Sequence, residues 1–197
     1  MFRLFVGIAL PEEARDALAM LCNGLPGAKW VDPDEMHISL RFIGEVDGGT
    51  GQDIDSALCR IAAPAFSLTL SGVDCFAQAS RVRVLWAGVG KEPLLVHLRE
   101  KVESALVRGG LEPDRRKFKP HVTLARFKNG ASDRLGTYMQ RHSRFSCGPF
   151  PVTAFTLYQS HLGSRGAHYE SLADYELERG AAHAPQPLAA PRACTRT

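Results

Sequence analysis

The sequence predicts an α/β protein (α+β) that is bilobed and internally duplicated, with two antiparallel-rich sheets facing a central cleft and helices packed on the outside. Three observations predict this class. Apolar runs of strand length alternate with segments of helical period along most of the chain. The order strand–helix–strand–helix–strand occurs twice. A short histidine-containing strand occupies a matching place in each half.

The first predicted repeat covers about residues 1–75 and contains three strands and two helices. A proline followed by two acidic residues marks the start of the first helix, and an Asn-Gly pair near residue 23 marks its end. A proline at position 64 closes the second helix. The predicted strands are residues 2–10, 36–43 and 66–73. The predicted helices are residues 11–24 and 50–62.

The second predicted repeat covers about residues 80–178. The predicted strands are residues 82–89, 119–127, 150–159 and 168–177. The predicted helices are residues 93–108 and 132–141. Both repeats belong to one predicted domain, residues 1–179, and the duplication rests on element order, because the two halves share little side-chain similarity outside the histidine strands. Residues 180–197 are rich in Ala and Pro without an apolar period and are predicted to be a disordered tail.

Composition narrows the function classes. The net charge of +3 allows an anionic ligand in a local basic pocket but does not indicate a protein that coats long nucleic acid. The five cysteines are widely spaced without a C-x-x-C, which argues against a disulfide framework or a cysteine zinc site and favours a reducing cytoplasm. The N-terminal apolar run is short and ends at Pro11, so we interpret it as a strand rather than a signal peptide, and we expect no membrane association.

Two segments of the form His-x-hydroxyl-Leu carry the chemistry: residues 37–40 (HISL) and 121–124 (HVTL). Side chains alternate along a strand, so each histidine shares a face with the hydroxyl two residues later. A lone histidine in an apolar strand is usually a hydrogen-bonded core residue. Two copies of the motif at equivalent places in a duplicated fold can instead bring both histidines to one site, and this is the interpretation that we adopt.

Such a site suits acid–base chemistry on a phosphate. Histidine titrates near neutral pH, so one imidazole can be protonated while the other is neutral. Ser39 and Thr123 can donate hydrogen bonds to phosphate oxygens. Neither histidine has a metal-ligand partner at the usual spacing, and the sequence contains no H-E-x-x-H or Walker motif. We therefore expect no metal and no cofactor.

The paired motifs resemble the two-histidine phosphoesterase superfamily, and within it the RNA 2',3'-cyclic phosphodiesterases, formerly called 2'-5' RNA ligases. The resemblance spans about residues 1–178. It is carried by residues 5–8 (FVGI), 37–44 (HISLRFIG), 120–126 (PHVTLAR) and 157–160 (LYQS), with Gly166 and Tyr169.

The resemblance implies hydrolysis of a 2',3'-cyclic phosphate to a 2'-phosphomonoester. It implies that His37 protonates the departing O3' and that His121 activates water, although the symmetry of the motifs leaves the two roles exchangeable. It implies that Ser39 and Thr123 hold the phosphate. The first motif has Ser where many relatives have Thr, which keeps the hydroxyl.

The resemblance also implies that Phe42 stacks on the terminal nucleobase and that Arg126 contacts the phosphate. Each lies five residues after its histidine, and strict alternation puts both on the opposite face. They reach the cleft only if each strand ends, twists or bulges near Arg41 and Ala125. Otherwise Phe42 belongs to the core and Arg126 to the surface, while Arg41 has the parity that reaches the cleft rim.

Two rival functions stay open at this point. The same site can join a cyclic phosphate end to a 5'-hydroxyl through a 2'-5' bond, because an alcohol can replace water. A binding module can hold RNA ends or a cyclic nucleotide without turnover. The expected partners are RNA ends or oligonucleotides bearing a 2',3'-cyclic phosphate. The chain is expected to be a monomer with no obligate protein partner.

Overall fold

The computed structural model describes residues 1–79, 81–163 and 166–178, so the predicted tail lies outside the described residues. Within these ranges the chain forms nine strands, four α-helices and one short 3-10 turn, Pro33–Glu35. The strands are β1 (Phe2–Ala9), β2 (Ala28–Trp30), β3 (His37–Val46), β4 (Phe66–Gln78), β5 (Arg81–Val89), β6 (His121–Phe127), β7 (Ser146–Val152), β8 (Ala154–Gly163) and β9 (Gly166–Glu176). The helices are α1 (Glu12–Ala19), α2 (Gly48–Leu58), α3 (Pro93–Arg108) and α4 (Leu135–His142).

The described strands pair antiparallel in one sheet, in the order β7-β4-β5-β6-β3-β1-β8-β9, with β2 beside β6. The α/β class and the antiparallel pairing are confirmed. The expectation of two separate sheets is corrected, because β3 and β6 join the two sets of strands. They pair at a single position, Ile38 opposite Val122. Each of these residues follows its histidine directly, so a local two-fold axis relates the two motifs.

The two halves of the sheet do not divide where the predicted repeats divide. β4 comes from the first repeat but lies between β7 and β5. β8 and β9 come from the second repeat but extend the sheet beyond β1. Each half of the sheet is thus completed by strands from the other part of the chain. The internal duplication and the 1–179 domain limits stay predictions.

The helices cover one face of the sheet. α3 packs against β3 and α2, and α4 packs against β4. Ile38 and Leu40 of β3 and Val122 and Leu124 of β6 are buried in the core on this side. The histidines alternate with these residues and therefore point to the uncovered face. None of the described helices is long and apolar enough to cross a membrane.

Several element limits differ from the predicted ones for local reasons. α1 ends at Ala19, because Leu21 and Cys22 bond three residues back and tighten the last turn. α2 begins at Gly48, where the Asp47 side chain accepts from the Thr50 amide and caps the helix. The predicted strand 150–159 is two strands, β7 and β8, that are separated at Thr153.

Candidate active site

A β-bulge interrupts each histidine strand at the same distance from its histidine. In β3, Ser39 and Arg41 face consecutive residues of β1, so Leu40 has no partner of its own there. In β6, Thr123 and Ala125 face consecutive residues of β5, and Leu124 is the extra residue. An extra residue reverses the alternation beyond it. The position five residues after each histidine therefore returns to the histidine's face.

All six predicted site residues line one cleft of about 530 Å³ on the uncovered face of the sheet: His37, Ser39, Phe42, His121, Thr123 and Arg126. The bulge condition that the sequence analysis set for two of them is met. Phe42 is 39% exposed, with the Arg3 guanidinium 5.2 Å from the centre of its ring. Arg126 is exposed at the other motif. The roles of the six residues stay predictions.

Backbone and side-chain contacts hold the His37 ring in one orientation. Nδ1 lies 2.9 Å from the carbonyl oxygen of Glu35, and Nε2 lies 3.1 Å from the Ser39 hydroxyl. A carbonyl oxygen can only accept, so Nδ1 carries the hydrogen and Nε2 is the nitrogen that can exchange a proton. The rings of Phe5 and Tyr169 pack against the imidazole, with centroids 4.7 and 4.9 Å away.

The second histidine is held in the same manner. Nδ1 of His121 lies 2.7 Å from the carbonyl oxygen of Lys119, which again leaves Nε2 for chemistry. Phe76 and Trp86 flank the ring, with centroids 4.9 and 5.8 Å away. The Lys119 ammonium lies 4.2 Å from the centre of the Trp86 ring. In both motifs the carbonyl two residues before the histidine therefore selects the tautomer.

The environment lowers the pKa of both histidines. Burial is the main reason that the pKa of His37 lies below the ordinary histidine value, and the nearby His121 lowers it further, against the raising effect of the Glu35 carbonyl. Burial likewise lowers the pKa of His121, with Arg126 acting in the same direction. Without an anion between them, both imidazoles thus favour the neutral form. An anionic phosphate in the cleft would favour protonation.

Glu35 is a contact residue that the sequence analysis missed. Its carboxylate accepts from the Tyr169 amide at 2.8 Å and lies 2.6 Å from Nδ1 of His168. Its backbone carbonyl is the group that orients His37. One residue thus connects the first histidine to β9, which forms a wall of the cleft. No pattern in the sequence indicates this contact, because its partners lie 133 and 134 residues away.

Arg41 lies on the opposite side of the sheet from the cleft, so the parity that suggested the rim is wrong. The bulge turns its side chain toward α3, where it is 9% exposed. Nε lies 2.8 Å from Oε2 of Glu103, although the N–H is poorly aligned for a hydrogen bond. Further contacts reach Asp114 and the carbonyl oxygen of Glu112. Arg41 therefore anchors the segment before β6 to the histidine strand β3.

Other sites in the described residues offer less organised chemistry. A larger groove of about 640 Å³ lies between α2 and α3, and its lining includes Arg60 and Lys101 as well as Asp53 and Glu100. Its walls carry both signs of charge and no paired motif, so we place the chemistry in the histidine cleft. In the described part of the chain, no three His, Cys, Asp or Glu side chains cluster as a metal site would require.

Comparisons with known proteins identify the family of the chain. A family model described as the 2'-5' RNA ligase superfamily matches residues 10–164. An RNA 2',3'-cyclic phosphodiesterase from Aeropyrum pernix is 35% identical over 83% of this chain and 92% of that protein. One from Geobacillus stearothermophilus is 31% identical over 88% of this chain, which spans 56% of that protein.

A solved structure extends the likeness to the fold. The crystal structure of Escherichia coli LigT complexed with 3'-AMP superposes with a TM-score of 0.73 at 27% identity, covering 90% of this chain and 99% of that one. The matched region of the family model includes both histidine strands and most of the sheet. The chain belongs to the 2'-5' RNA ligase superfamily.

Proposed function

We propose that the chain hydrolyses RNA 2',3'-cyclic phosphate ends to 2'-phosphomonoesters. The single observation that carries the proposal is the pair of oriented imidazoles in one cleft, each with a hydroxyl two residues later. The relatives named RNA 2',3'-cyclic phosphodiesterase support the choice of substrate. Two proton-transfer groups and two hydroxyl donors are what an in-line attack on a cyclic phosphodiester needs.

Each group has a defined step in the proposed reaction. Nε2 of His121 accepts a proton from water while the water oxygen attacks phosphorus. The bond from phosphorus to O3' breaks, and Nε2 of protonated His37 gives its proton to O3'. Ser39 and Thr123 donate hydrogen bonds to the non-bridging oxygens, whose charge grows in the transition state. The cycle ends with a 2'-phosphate, a free 3'-hydroxyl, neutral His37 and protonated His121, and a proton exchange with solvent restores the start.

The remaining site residues bind the RNA end. Phe42 offers a partly exposed ring on which a terminal base can stack, which tolerates any base. Arg126 contributes a positive charge to the phosphate pocket. The proposal includes no metal and no cofactor, a monomer without an obligate protein partner, and a cytoplasmic location, for which the described cysteines, all unpaired, are suitable.

Product analysis in the presence of a strong chelator tests the proposed function. We expect 2',3'-cyclic AMP and an RNA ending in a cyclic phosphate to yield 2'-phosphates at an undiminished rate, because no step uses a metal. An RNA with a 5'-hydroxyl end is added to the same mixture, so that ligation can compete with hydrolysis. Formation of a 2'-5' linked product instead of the 2'-phosphate would favour ligation, and tight binding without turnover would favour a binding module.

The pH dependence of kcat/KM follows from the lowered pKa values. The base must be neutral, so the rate falls as pH drops below its pKa, and the acid must be protonated, so the rate falls as pH rises above its pKa. Burial lowers both pKa values, so we expect a bell-shaped profile with its maximum below about pH 6.5, the ordinary histidine value. Initial rates at low substrate concentration from pH 4 to 9 measure it, and a maximum well above neutrality would contradict this electrostatic account.

A further inference from the structure

Lys29 and Arg126 face each other directly across two strands at the edge of the cleft. They are register partners in the antiparallel pair of β2 with β6. Residues directly opposite in such a pair share a face, with Cα atoms about 4.5–5.5 Å apart. Arg126 lines the cleft, as does Val31, two residues beyond Lys29 on the same alternation. Lys29 is therefore placed on the cleft side, immediately outside the pocket.

Like charges directly opposite each other destabilise a sheet pair unless something neutralises them. In the described ranges, no carboxylate lies within ion-pair distance of either cation. The nearest acids along the chain are engaged elsewhere. Asp32 caps the 3-10 turn, and Asp34 pairs with Arg15. The two cations thus extend the positive charge from the phosphate pocket to its rim.

We infer that Lys29, beside Arg126 at the rim of the phosphate pocket, forms a second phosphate subsite, which binds the phosphodiester on the 5' side of the terminal nucleotide. The inference rests on the proposed function, because the cyclic phosphate must occupy the pocket between the histidines. The next phosphate of a single strand then lies one nucleotide away, within reach of a long, flexible lysine side chain at the rim. A cyclic mononucleotide lacks that phosphate. The subsite therefore selects oligonucleotide ends over mononucleotides.

The test is the ratio of kcat/KM for a short RNA ending in adenosine 2',3'-cyclic phosphate to kcat/KM for 2',3'-cyclic AMP. We expect Lys29→Gln to lower this ratio about fivefold at low salt, as one exposed ion contact would. Lys29→Glu should lower it further. The slope of log kcat/KM for the RNA against log salt concentration should become shallower by about 0.7, the loss of one phosphate contact with a single strand.

Lys101→Gln provides the matched control, because it makes the same charge change on α3, on the helix-covered side of the sheet. A ratio and a salt slope equal to those of the wild type in Lys29→Gln would overturn the subsite. So would an equal change in the Lys101 variant, because the effect would then reflect net charge alone.

Binding of the reaction product separates this inference from the proposed function. Fluorescence anisotropy with the same RNA carrying a 2'-phosphate end, in competition with 2'-AMP, reports on the subsite without any turnover. If the wild type consumes neither cyclic substrate, the proposed function fails, and selective weakening of RNA binding in Lys29→Gln still decides for or against the subsite.

Discussion

Alanine at either cleft histidine is expected to lower kcat by about 10²-fold or more, because each imidazole transfers a proton in the proposed step. His37→Ala removes the donor to O3', and His121→Ala removes the acceptor from water. The double variant should be far less impaired than the product of the two effects, since the histidines act as a unit. Steady-state kinetics with 2',3'-cyclic AMP measure all three.

His97→Ala is the matched control for this series, because His97 is an exposed histidine on α3 outside the cleft. Its turnover should equal that of the wild type. Thermal unfolding of each variant separates lost chemistry from lost folding. Turnover near the wild-type rate in either cleft variant, with folding intact, would remove the two-histidine mechanism.

Loss of the buried Arg41 side chain is expected to destabilise the fold more than loss of the exposed Arg116 side chain. Arg41→Met should lower the free energy of unfolding by about 3 kcal/mol, because it leaves the carboxylate of Glu103 and that of Asp114, each only 14% exposed, without their buried partner. Arg99, 3.7 Å from Glu103, offsets part of the loss. In a domain of this size the melting temperature should fall by about 6–12 °C, measurable by calorimetry or urea unfolding.

Arg116→Met is the control in the same network. Arg116 also pairs with Asp114, at 2.9 Å, but its side chain is 73% exposed. An exposed ion pair contributes about 0–1 kcal/mol, so its loss should lower the melting temperature by only a few degrees. Equal destabilisation by the two methionine substitutions would show that burial does not determine the contribution of this network.

Local patterns in the sequence predicted much of the fold. α3 spans residues 93–108 as expected, since proline at its start and glycine after its end act within a few residues. The histidine strands and their buried Ile and Leu residues followed from alternation alone. The sequence predicted Phe42 and Arg126 in the cleft only on the condition that each strand bulges before them. No residue type in either strand marks the position of a bulge.

Interactions between distant residues could not be predicted in the same way. β2 has three residues, too few to show a period, and it owes its strand conformation to pairing with β6. β4 lies among strands of the second predicted repeat, and β8 and β9 lie beyond β1 of the first. This arrangement depends on packing between distant residues, which the alternation of apolar and polar side chains does not encode. Glu35 acquires its role from β9, far along the chain.

The order of the strands has a consequence for biosynthesis. β1 is synthesised first, yet one of its two neighbours is β8, and the wall that holds Tyr169 against His37 is β9. A nascent chain that lacks β8 leaves one long edge of β1 unpaired, and one that lacks β9 leaves the first histidine without the Tyr169 contact. The last two of the described strands thus complete the site, so a chain that stops before β9 is expected to lack an ordered first histidine.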